Sequence, residues 1–133
     1  MEISESVYIG VDYGRRRTGF ALSLSGVVIP LEPLCGSTWK GIAHRLNGMV
    51  KRHGPAKIVL GLPLSAGGKP TELSMEVESL AEFLRDRGFH VELVNEVCST
   101  QEACTPGAGG GGKDGRSDSM AAMVILKRFL GLP

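Results

Sequence analysis

Four residues, Tyr13, Gly14, Arg15 and Arg16, separate two stretches that both read as β-strands, VYIGVD at 7–12 and RTGFALSL at 17–24. Apolar and β-branched residues alternate in the first, and Tyr13-Gly14 supplies a turn signal. A parallel crossover needs a dozen residues or more, so a link this short makes an antiparallel hairpin. A third extended stretch follows at once, VVIPLEPL at 27–34. Its prolines at 30 and 33 push it towards a sheet edge or a loop, because proline cannot donate to a ladder.

The period then changes. In 38–53, Trp39, Ile42, Ala43, Leu46, Met49 and Val50 share one helical face, with Ser37 or Thr38 as cap and Gly54-Pro55 as stop. KIVLG at 57–61 has the unbroken apolar character of a buried parallel strand, and 62–70 reads as a Gly/Pro/Ser loop. A second amphipathic helix over 71–87 buries Leu73, Val77, Leu80, Ala81 and Leu84, from a Thr71 cap to a Gly88 stop. HVELV at 90–94 is a fifth strand, 99–104 suits a helical turn, and the glycine-rich 106–116 suits no regular element. A last helix over 117–130 starts at Ser117, and its MAAMVIL segment is apolar nearly all round, which predicts deep packing.

The order β-β-β-α-β-α-β-α predicts one α/β domain, a mixed sheet with helices on its faces. A chain of 133 residues, 42% hydrophobic and 22% charged, fits one such domain and excludes a disordered tail. Fifteen basic against fourteen acidic residues leave a net charge of +1, which argues against a polycationic binder but leaves room for a local basic patch. No apolar run approaches the roughly 20 residues of a spanning helix, and the acidic start lacks a secretory signal, so a cytoplasmic protein with no membrane partner is expected. Cys35, Cys98 and Cys104 form no CxxC and read as reduced thiols. His44, His53 and His90 have no metal-ligand spacing with them.

Three carboxylates stand at element ends: Asp12 closing the first strand, Glu96 after the fifth, and Asp118 in the first turn of the last helix. Each has a plainer role: a turn former, a solvated loop residue, a partner of the helix dipole. If the first and fifth strands are parallel neighbours, Asp12 and Glu96 meet at one sheet end, where α/β sites cluster, and the last helix brings in Asp118 by starting there. Two carboxylates about 4 Å apart repel by roughly 4 kcal/mol at an effective dielectric of 20. Three such pairs cost about 12 kcal/mol, comparable to the stability of a small domain, so the cluster needs divalent cations, a shared proton or a nearby base. Hard oxygen ligands suit Mg²⁺ or Mn²⁺, and two such ions activate water and stabilise the leaving oxygen in phosphodiester cleavage.

The segments GVDYGRRRTGFALS (10–23), IVLGLPLSAGGKPTE (58–72), NEVCSTQEA (95–103) and DSMAAMVIL (118–126) occur in that order. Together they resemble the bacterial family of Holliday-junction resolvase-like proteins, also described as pre-16S ribosomal RNA nucleases. The resemblance implies a ribonuclease H-like fold, with a five-stranded mixed sheet whose first three strands are antiparallel and helices on both faces. It implies a Mg²⁺- or Mn²⁺-dependent endonuclease acting on branched DNA or an rRNA precursor and leaving a 5′-phosphate and a 3′-hydroxyl. On the matching positions it implies Asp12, Glu96 and Asp118 as catalytic metal ligands, and it gives Arg17 the family's first-motif arginine. Arg16, Arg17, Lys69, Lys113 and Arg116 then become candidate phosphate contacts from loops facing the same site. A monomer suits RNA trimming, whereas two symmetric cuts in a junction call for a homodimer.

Two departures motivate an alternative, a catalytically weakened nucleic-acid-binding module of the same fold. Asn95-Glu96-Val97 stands where the family commonly has Asp-Glu-Arg, and Leu24 where it often has Asp. DYGRRRTG also resembles the first phosphate-binding hairpin of actin-like ATPases, whose complete form needs two such domains. GAGGGGKD at 107–114 nearly matches a nucleotide phosphate loop, but Asp114 stands where the metal-binding hydroxyl belongs and no strand precedes it. A flap closing on substrate is the expectation for those glycines.

Overall fold

The computed structural model describes residues 7–36, 38–97 and 116–132, and its side-chain description leaves out residues 97 and 116–118. Strands β1 (Val7–Asp12), β2 (Arg17–Leu24) and β3 (Val27–Cys35) are followed by helix α1 (Trp39–His53), β4 (Ala56–Leu64), α2 (Glu72–Asp86), β5 (His90–Val97) and α3 (Arg116–Leu130). The sheet order is β3-β2-β1-β4-β5. β1, β2 and β3 pair antiparallel, while β4 runs parallel to both β1 and β5.

Local chemistry sets these boundaries. Ser25 and Gly26 both have positive φ, 51° and 85°, so the two-residue β2–β3 turn twists with its strands. Thr38 caps α1 by accepting from the Gly41 amide at 3.0 Å. At α2, Thr71 and Ser74 form a reciprocal capping box, and the Thr71 hydroxyl donates to the Pro63 carbonyl at 3.2 Å, fastening the helix start to the end of β4. Gly88, at φ 97°, turns the chain out of α2 as its sequence position predicts.

The helices cover both faces. α1 and α2 pack Ile42, Leu46, Val77, Leu80 and Leu84 against Ile9, Val11, Phe20, Ile58 and Leu60. α3 packs Ala122, Ile125 and Leu126 against Ala21 and Val59 on the other face. Each fully buried large side chain contributes about 1.5–3 kcal/mol of transfer free energy.

Five sequence expectations are corrected. β1 and β5 are not neighbours; β4 lies between them. β4 reaches Leu64 and β5 reaches Val97, so part of the expected 62–70 loop is strand and Glu96 lies within β5. Pro63 is tolerated because β4 has outrun β1 there and has lost a ladder partner on that side. α3 begins at Arg116, which puts that residue in a helix and not a loop, and only one side of α3 is deeply packed. Met120 and Val124 face outward, 58% and 49% exposed, because the helix lies on a sheet and has no second layer above it among the described residues. Ser37, the 99–104 turn, the glycine-rich segment, Cys98 and Cys104 lie outside the described residues.

Candidate active site

The parallel register places two of the three carboxylates. Val11 pairs with Leu60, Gly61 with Val94, and Pro63 with Glu96. One residue past Val11, Asp12 stands level with Gly61, and Glu96 lies two residues further along β5. Val11 and Leu60 point to the α1/α2 core, whereas Val94 packs on the α3 side. Alternation therefore turns Asp12, Gly61 and Glu96 to the α3 face, at the carboxyl ends of three adjacent strands. Because β4 carries only a glycine between them, the two carboxylates share this sheet end without being on neighbouring strands.

Gly61 is glycine for a steric reason. A Cβ there would lie 2.5 Å from Ile125 Cδ1 and 3.5 Å from Glu96 Cγ, so the bare backbone makes room for both side chains. Glu96 Oε2 is buried and makes no hydrogen bond among the described residues. The Arg128 Nε atom lies 3.1 Å from it, an ion pair whose geometry is not that of a hydrogen bond. Burial pushes the Glu96 carboxyl above the usual carboxylate range, and Arg128 opposes that push. A hard, buried carboxylate oxygen without a donor fits a divalent cation of the Mg²⁺ or Mn²⁺ type.

α3 lies across this face of the sheet. The Ser119 hydroxyl donates to the Leu31 carbonyl of β3. Ala122 and Leu126 sit over Gly10, where a Cβ would come within 2.6 Å of the Ala122 carbonyl oxygen. Phe129 meets Tyr8 with ring centroids 5.9 Å apart. The helix thus runs antiparallel to β1 and begins near the end that carries Asp12. Asp118 belongs to that first turn, and its side chain lies outside the described residues.

Arg16 and Arg17 are exposed beside Asp12; Arg17 opens β2 opposite Cys35, and the Arg16 carbonyl accepts from the Gly36 amide at 2.9 Å. Lys69 is exposed in a tight turn beyond β4, closed by Ser65 N to Lys69 O at 2.9 Å and Lys69 N to Ser65 Oγ at 3.1 Å. Lys113 and the Arg116 side chain lie outside the described residues. Asn95 is exposed and alternates to the α1/α2 side, away from Glu96, so an amide there removes no carboxylate from the α3 face.

Sequence reasoning missed a polar latch behind the site. The Tyr13 hydroxyl donates to Glu76, and Arg15 Nε donates to the same carboxylate at 2.9 Å. It also missed Arg128, because nothing in the local pattern links a last-turn arginine to a residue 32 positions earlier.

The fold is that of ribonuclease H-like nucleases. Thermus thermophilus RuvC, solved in complex with a Holliday junction substrate, superposes with a TM-score of 0.55 at 15% identity over 90% of each chain. The large terminase nuclease of phage G20c gives 0.51 at 18% identity over 92% of this chain and 55% of its own. The sequence model of RuvX, described as Holliday junction resolvase, matches residues 6–131, and the chain belongs to this family. A protein of Oleidesulfovibrio alaskensis named "Putative pre-16S rRNA nuclease" is 35% identical over 95% of this chain and 92% of its own length. An Alcanivorax borkumensis protein of the same name is 35% identical over 91% and 92%.

Proposed function

We propose that this RuvX-family chain is a divalent-metal-dependent nuclease that hydrolyses phosphodiester bonds in structured nucleic acid, either a branched DNA or a ribosomal RNA precursor. The observation that carries the reading is Glu96 on the same face and sheet end as Asp12, with its Oε2 buried and undonated. Asp12, Glu96 and Asp118 would hold Mg²⁺ or Mn²⁺, which supplies water activation and stabilisation of the leaving oxygen. Arg16, Arg17 and Lys69, with Lys113 and Arg116, would hold the phosphates that flank the scissile bond. Attack of water on phosphorus with loss of the 3′-oxygen leaves a 5′-phosphate and a 3′-hydroxyl. The Asn95 motive for the weakened-module alternative lapses, since Asn95 lies on the opposite face from Glu96; the Val97 motive stands. No described helix is long and apolar enough to cross a membrane; a cytoplasmic monomer or homodimer fits the proposed substrates.

The test is cleavage of a labelled four-way DNA junction and of an rRNA precursor in Mg²⁺, Mn²⁺ or EDTA, with Asp12→Asn in parallel. Metal-dependent cleavage abolished in Asp12→Asn is expected. Binding without cleavage in every metal would replace the nuclease with a binding module.

A further inference from the structure

We infer that Arg128 is an exchangeable counter-ion of Glu96, so that loading a divalent cation on Glu96 expels the Arg128 guanidinium from its oxygen. The inference rests on the metal reading of Glu96 given above. Its own footing is the geometry of α3. Ile125 is held over Gly61 by the missing Cβ, and Arg128 follows one helical turn later, at i+3. That spacing brings the Arg128 Nε to 3.1 Å from Glu96 Oε2.

Three features make the contact exchangeable and not structural. The oxygen is buried but receives no hydrogen bond, so the pair is held by charge without the directed N–H···O geometry of a tight guanidinium–carboxylate pair. The Arg128 side chain is 58% exposed, so water stands ready to take the guanidinium back. Glu96 is carried by a strand and Ile125 by a buried helix face, so neither backbone must move when the arginine swings away. A guanidinium and a divalent cation repel each other across a few ångströms, so the two compete for the Glu96 carboxylate. The resting protein is therefore charge-compensated at Glu96 without metal, and the cation binds against Arg128.

The experiment is calorimetric titration of Mn²⁺ into the metal-free protein without nucleic acid, comparing wild type, Arg128→Met, Arg128→Lys, Glu96→Gln and the Glu96→Gln/Arg128→Met pair. Circular dichroism confirms folding. Arg128→Met is expected to tighten Mn²⁺ binding about tenfold, a shift of about 1.4 kcal/mol. Arg128→Lys, which keeps the charge, stays within about threefold of wild type, and the gain disappears when Glu96→Gln is also present. Unchanged or weaker binding in Arg128→Met overturns the exchange while leaving Glu96 as a ligand. Equal binding by wild type and Glu96→Gln instead removes the metal reading of Glu96, and the exchange falls with it.

Discussion

The hydroxyl of Tyr13 donates to the carboxylate of Glu76, joining the residue after Asp12 to helix α2 on the opposite face of the sheet. Tyr13 is buried, and Glu76 also accepts from Arg15 Nε, so the turn that carries Arg16 and Arg17 is fastened from behind. The latch acts on the backbone beside Asp12 without any member facing the α3 side.

This latch has a pH signature. The hydrogen bond from Tyr13 is the largest influence on the Glu76 carboxyl; burial opposes it, and the hydrogen bond and charge of Arg15 help to hold the carboxyl below the usual range. A folded pKa below the unfolded one contributes stability that is complete above the ordinary glutamate value near 4.3, and is lost as pH falls through the lower folded value. Tyr13→Phe is expected to cost about 1 kcal/mol at pH 7, a net figure for one partly exposed hydrogen bond. The difference should narrow at acidic pH below the lowered folded value, where Glu76 is protonated in both states. Urea unfolding at the two pH values measures it, and a pH-independent gap would show that the charge on Glu76 is irrelevant to the latch.

Gly10 sets the height of α3. An added Cβ would meet a backbone oxygen, that of Ala122, at 2.6 Å and Leu126 Cγ at 2.7 Å, so relief requires the helix itself to move. Gly10→Ala is expected to cost about 1–3 kcal/mol, the range for overpacking a tight core. At about 4 °C per kcal/mol for a domain of this size, the thermal midpoint falls by roughly 4–12 °C. A calorimetric scan that finds no change would mean that α3 packs further from β1 than described.

The sequence makes some of this legible and hides the rest for physical reasons. The β1–β2 hairpin follows from link length, and α1 and α2 from a 3.6-residue period, both local properties. β4 and β5 are longer than their apolar runs because each extends the other after β1 has ended, and register between distant strands is not written in either one. Asp12 is visible as the polar end of an alternating strand, whereas Glu96 and Asp118 gain meaning from the resemblance and not from spacing. Arg128 reaches Glu96 only because Gly10 and Gly61 let α3 settle onto the sheet, a condition set by contacts more than 60 positions apart.

Arg17 and Arg15 should separate in their salt dependence. Arg17 opens β2 and is exposed at the sheet end that carries Asp12, whereas Arg15 is engaged with Glu76 towards α2. Neutralising a phosphate contact lowers the slope of log K against log salt by about one unit. Arg17→Ala is expected to weaken nucleic-acid binding across sequences and reduce the slope by about 1, while Arg15→Ala leaves it unchanged. Fluorescence anisotropy between roughly 50 and 200 mM salt reads both. Equal slopes for the Arg17→Ala and wild-type proteins would remove Arg17 from the phosphate path.

Glu96→Gln should change activity and stability in opposite directions. Burial disfavours the Glu96 carboxylate in the fold, with Arg128 compensating in part, so the folded pKa lies above the unfolded one. The sign follows: the ionised group costs the metal-free protein stability at pH 7, and that cost fades as pH falls through the folded value. Removing the charge is expected to raise metal-free stability by about 1 kcal/mol, or roughly 4 °C, scaled down because the side chain is 23% exposed. The same substitution removes the proposed metal ligand and is expected to lower cleavage at least about 100-fold. Thermal unfolding in EDTA, repeated with Mn²⁺, tests the pair of effects. The variant should be the more stable protein in EDTA and lose that advantage in Mn²⁺, because only wild type gains from the ion. A variant less stable than wild type in EDTA would show that the Glu96–Arg128 pair supports the fold and is not a strained functional feature.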